Sequence, residues 1–175
     1  MMKNYSWDLT FSNLHQRCLG DYQAGSKDYH HWYDESDHAF LKTIGYQPLE
    51  FFDYVEDCAV HQDPSLTTAL MIASVRRDYL DVIQGGVLSE VRVMSTDLPP
   101  KDSDLEGYVW LPRILAKARA KLRGELHPES MYCCGGDRGF LRQHDIAPAD
   151  FLRAVWAAGD DDGKILNYVK SHQNT

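Results

Sequence analysis

The segment "WYDESDHAFLKTIGYQPLEFF", Trp32 to Phe52, returns in altered form as "YCCGGDRGFLRQHDIAPADFL", Tyr132 to Leu152. Asp37, Phe40, Leu41, Pro48, Phe51 and Val55 meet Asp137, Phe140, Leu141, Pro148, Phe151 and Val155 at a constant displacement of 100 positions. Between Phe40 and Val55 five of sixteen positions are identical, and Lys/Arg, Glu/Asp and Phe/Leu exchanges add to them. The shared positions are those that a helix–turn–helix unit requires. An aspartate caps a short helix bearing Phe-Leu, and a proline fixes the start of the next helix. Duplication explains the match; convergence of two unrelated units on common capping chemistry is the other reading.

Periodicity on either side of the match is helical. Phe11, Leu14, Cys18 and Tyr22 form one apolar stripe, with Thr10 or Ser12 as N-cap and Gly25 as terminator. Phe51, Phe52, Val55 and Cys58 follow Pro48, and a long apolar pattern from Leu66 to Ile83 starts at Ser65 and stops at Gly85-Gly86. Pro112 opens a helix with Ile114, Leu115, Ala118 and Leu122 on one face and Gly124 at its end. Pro148 to Gly159 repeats that formula, and an acidic cap precedes Ile165, Leu166 and Val169. No run of alternating strands appears. The expected fold is all-α, with two pseudo-repeated halves of about three to four helices each. They span residues 1–86 and 105–175, joined by an extended connector over 87–104 that Pro99-Pro100 keeps irregular.

With 43% hydrophobic and 11% aromatic residues, the chain can build a core without disulfides, and its four cysteines form no C-x-x-C pair. The leading "MMKNYSWDLTF" lacks the apolar run and cleavage site of a signal peptide, and "LMIASV" is too short to span a bilayer. A cytoplasmic protein with no membrane association is expected. A net charge of −8 argues against nucleic acid as a partner.

Gly107, Tyr108, Val109, Leu111, Pro112, Arg113, Lys117, Arg119 and Ala120, followed by Tyr132, Cys134, Asp137, Phe140, Phe151, Leu152 and Val155, carry a family pattern. On these blocks the C-terminal half resembles a bacterial domain-of-unknown-function family, number 5069. "CCGGD" stands where that family more often has a Cys-Pro turn. The resemblance implies ancestry and no activity.

Several groups of residues are able to carry chemistry. Arg113 and Lys117 lie four apart on one helix face, and with Asp137 they form either a buried brace or an anion pocket. Cys133-Cys134 precede a helix at Asp137; a reactive thiol there needs a nearby cation, and His127 and His144 are further candidates to approach it. His30, Asp34 and His38 would align on a continuous helix for a transition metal, but Asp34, Ser36 and Asp37 favour a capping loop instead. Trp32 and Tyr132 are candidate walls of an aromatic cleft between the halves. No P-loop, dinucleotide fingerprint, serine elbow or H-E-x-x-H motif is present, and no cofactor is expected. The expected function is a binding or regulatory module for a small anion or a protein partner. The alternative is a small enzyme with Cys134 or Asp137 reactive and Arg113 and Lys117 holding an anionic substrate.

Overall fold

The computed structural model describes residues 4–172; the first three residues of the leading segment lie outside them. The chain divides into two compact units, Met1–Asp78 and Tyr79–Thr175. Both are helical, as the periodicity predicts. In the first unit α1 (Trp7–Gln23), α2 (Glu35–Thr43) and α3 (Pro48–His61) precede α4 (Leu66–Val82), which runs on past the unit boundary. The second unit contains α5 (Leu111–Arg123), α6 (Gly135–Gln143), α7 (Pro148–Ala158) and α8 (Asp162–His172).

Local chemistry sets the helix ends. Pro48 and Pro148 open α3 and α7, where a missing N–H costs no helical hydrogen bond. Ser65 Oγ accepts from the Thr68 amide at 3.1 Å, and Asp161 Oδ1 accepts from the Lys164 amide at 3.1 Å. Gly124 closes α5 in the left-handed region. Two expectations shift. Helix α1 starts at Trp7, ahead of Thr10 and Ser12, because its apolar stripe extends toward the N-terminus. Asp37 and Asp137 occupy the third helical position instead of the cap: Asp34 and Cys134 are the N-caps, and the two aspartates reach back to amides before their helices.

In the first unit α1 packs against α3. Phe11, Tyr46 and Phe51 meet edge to face, with the Phe11 and Phe51 centroids 5.2 Å apart. In the second, α5 packs on α7 and α7 on α8, closing Ile114, Ala118, Phe151, Leu152, Val155, Ile165 and Val169 into a core. A two-residue antiparallel hairpin, β1 (Asp104–Leu105) and β2 (Tyr108–Val109), leads into α5. It is too short to show an alternating pattern, and it leaves the chain all-α in class. Before it, Val93 makes an isolated bridge to Leu126.

Candidate thiol site

The turn into α6 gathers the chemistry. Lys117 sits on the core-facing side of α5, beside Ile114 and Ala118, and its side chain is only 4% exposed. A lysine so placed needs compensation for its charge. Asp137, fully buried on α6, supplies it: Lys117 Nζ donates to Asp137 Oδ2. The same oxygen accepts the Cys133 amide at 2.9 Å, and Oδ1 accepts the Trp110 indole N–H at 2.9 Å. Three donors fix the carboxylate in place, which is what a buried charge requires.

Lys117 Nζ also lies 3.2 Å from Cys134 Sγ. Cys134 is half-buried and is the N-cap of α6; the exposed Gly135 and Gly136 form the first turn. The sulfur therefore sits against an ammonium and at the positive end of a helix. Both favour negative charge developing on it. Cys133 is fully buried with φ +71°, a conformation that costs a side-chain-bearing residue strain. It is held at both ends, its amide by Asp137 and its carbonyl by Arg138 Nη1 at 2.8 Å. Gly136 packs so closely on the Trp110 ring that a Cβ at this position would overlap it.

A comparison with the first unit explains the extra bend. Tyr33 donates its hydroxyl to the Pro48 carbonyl at 3.0 Å, and Tyr132 donates to the Pro148 carbonyl at 2.8 Å. The aspartates accept backbone amides from Asp34 and Cys133, three and four residues back respectively. The second turn is thus one residue longer between tyrosine and aspartate, and Cys133 takes up the surplus.

The other sequence candidates lie elsewhere. Arg113 donates to the Pro99 carbonyl at 2.6 Å and stands 5.9 Å from the Trp110 ring centroid. Arg119 pairs with Asp162 at 2.7 Å and bonds the Gly159 carbonyl. Trp32 and Tyr132 are both buried; the Trp32 indole donates to the Ser26 carbonyl at 3.2 Å. Burial pushes the Tyr132 phenol well above its usual range. His144 packs on Phe140 at 4.6 Å, and burial lowers its pKa; His127 Nδ1 accepts from the Glu129 amide at 3.3 Å. His30 lies within a short 3₁₀ turn, Asp34 caps α2 and His38 lies within α2, so no single helix carries all three. Among the described residues no group of three or more His, Cys, Asp or Glu side chains is placed to hold a metal ion. Reading the sequence missed Gly136 and Arg138, which the double glycine ahead of Asp137 could have flagged as a tight approach.

A cleft of about 290 Å³ in the second unit is lined by Tyr79, Arg119, Arg123, Val155 and Trp156 among others, away from the Cys134 turn. Among the described residues no helix is long and apolar enough to cross a membrane. No curated protein and no solved structure matches the chain. The C-terminal part that holds Trp110, Lys117, Cys134 and Asp137, residues 98–175, matches the family model described as a domain of unknown function, DUF5069.

Proposed function

We propose that this chain is a cytoplasmic bacterial binding or regulatory module whose responsive element is the Cys134 thiol, addressed by a small anion or a protein partner. The observation that carries the reading is the 3.2 Å approach of the buried Lys117 ammonium to Cys134 Sγ at the start of α6. An ammonium and a helix N-terminus stabilise charge on sulfur, while Gly135 and Gly136 leave the turn open to solvent. The duplicated-scaffold reading belongs with this proposal: each unit carries a cation twenty residues before an aspartate, Arg17 with Asp37 and Lys117 with Asp137.

Enzymatic use of the thiol is the second reading, favoured by the same contact. Two facts weigh toward regulation. Asp137 is already held by three donors, and Arg113 is engaged by the Pro99 carbonyl.

Alkylation by iodoacetamide at pH 7 tests the proposal. Cys134 is expected to react faster than glutathione, and inorganic phosphate or a simple carboxylate is expected to slow it. A rate at or below that of glutathione overturns the reading. Steady turnover of a thioester substrate that Cys134→Ser abolishes would transfer the case to the enzyme.

A further inference from the structure

We propose that a peroxide joins Lys117 to Cys134 covalently, through a sulfenic acid that the lysine amine captures as a sulfenamide. This rests on the reading of Cys134 as the responsive thiol and names how that thiol is regulated.

The geometry supplies each requirement. Cys134 is half-buried beside two exposed glycines, so a molecule as small as hydrogen peroxide reaches its sulfur. The amine is already in place at 3.2 Å and has little freedom to leave, since its side chain is 4% exposed. Asp137 Oδ2, bonded to the same nitrogen, is the adjacent proton acceptor.

The steps balance. Cys134 Sγ attacks one peroxide oxygen; the O–O bond breaks, an S–O bond forms, and one water leaves. Sulfur is oxidised by two electrons and the peroxide is reduced. Lys117 Nζ, having passed a proton to Asp137 Oδ2, then attacks Sγ. The S–O bond breaks, an N–S bond forms, and the departing hydroxide takes up a proton to leave as the second water. Two thiols reverse the bond, returning amine and thiol and forming one disulfide.

The competing partner is Cys133, and the backbone disfavours it. Neighbouring Cα atoms across a trans peptide are about 3.8 Å apart, below the roughly 4.4 Å at which disulfides begin. Relief by rotating the peptide is opposed, because Asp137 holds the Cys133 amide and Arg138 holds its carbonyl.

Peptide mapping of the full-length wild-type protein after hydrogen peroxide, without reductant, is the test. The expected product is a linked pair of peptides, one containing Lys117 and one containing Cys134, about 2 Da lighter than their sum and released by dithiothreitol. Cys133→Ser should retain the link and Cys134→Ser should lose it. Loss of 2 Da within a single peptide, marking a Cys133–Cys134 disulfide, overturns the proposal. So does a linked pair about 14 Da heavier than the sum, which marks an inserted oxygen instead of a direct N–S bond. Dimedone separates the two readings. Rapid trapping of Cys134 with no linked peptides keeps the responsive thiol and rejects the crosslink; no trapping and slow alkylation reject both.

Discussion

Arg17 reaches Asp37 at 2.5 Å across twenty residues of sequence, with side chains 45% and 15% exposed. Lys117 and Asp137, also twenty residues apart in sequence, pair with side chains 4% and 0% exposed. One arrangement therefore occurs in two dielectric settings. An exposed pair contributes up to about 1 kcal/mol, whereas deleting one partner of a buried pair costs about 3–5 kcal/mol. Urea unfolding of Arg17→Ala should show a small shift in midpoint, and Lys117→Met a loss several-fold larger. Equal effects would contradict the assignment of Lys117 as the counter-charge of Asp137.

Acid should loosen the first unit through His15. Its ring is fully buried, stacked near Phe11 and edge-on to Phe51, and neither nitrogen finds a hydrogen-bond partner among the described residues. Burial lowers its pKa from 6.5 to about 4. The unfolded chain therefore binds the proton first as pH falls. This contribution to stability is complete above pH 6.5 and is lost progressively down to about pH 4, by up to about 1.4 kcal/mol per pH unit. His15→Leu should flatten that part of the stability–pH curve; an unchanged slope would remove His15 as its source.

Asp53 works in the opposite sense. Burial, with Glu56, Asp57 and Glu50 adding repulsion, raises its pKa from 3.8 to about 7. A carboxyl that holds its proton longer when folded stabilises the fold fully below pH 3.8, and that contribution fades as pH rises to about 7. Asp53→Asn should accordingly stabilise the protein at pH 8, on the order of 1 kcal/mol after solvent screening, and do little at pH 4. Thermal melts at both values decide it, and a gain confined to pH 4 would reverse the conclusion.

Two glycines should resist replacement for different reasons. At Gly45 the backbone has φ +71°, and an added Cβ would stand 2.6 Å from the buried Arg76 guanidinium. Gly45→Ala thus combines strain with overlap and should cost a few kcal/mol. At Gly136 the conformation is ordinary and the obstacle is the Trp110 ring. Gly136→Ala should displace the indole from Asp137 and change the alkylation rate of Cys134 with a smaller loss of stability. An unaltered rate would show that the ring and the thiol are independent.

Much of the scaffold was legible because proline starts, glycine stops and apolar stripes act locally. Pro48, Pro148 and Gly124 mark helix ends in the sequence as in the structure. Asp37 and Asp137 read as capping residues in the sequence, but their position inside the helix depends on Asp34 and Cys134 taking the cap. The thiol site was legible only in part. Lys117 falls within a stripe otherwise made of Ile114, Leu115 and Ala118, and its charge disguises an inward side chain. Adjacency at i,i+4 groups it with Arg113, yet Arg113 turns to the Pro99 carbonyl, a contact made with the connector that no helical spacing encodes. His15 gave no signal because one histidine on an apolar face reads like any other.

Trp110 adopts φ +78° at the cap of α5, lies over Gly136, and bonds the carboxylate that steadies Lys117. An indole so coupled is a built-in optical gauge of the turn. Its emission colour and quenching should follow the oxidation state of the neighbouring sulfur, so the chemistry can be timed in a cuvette with no dye attached.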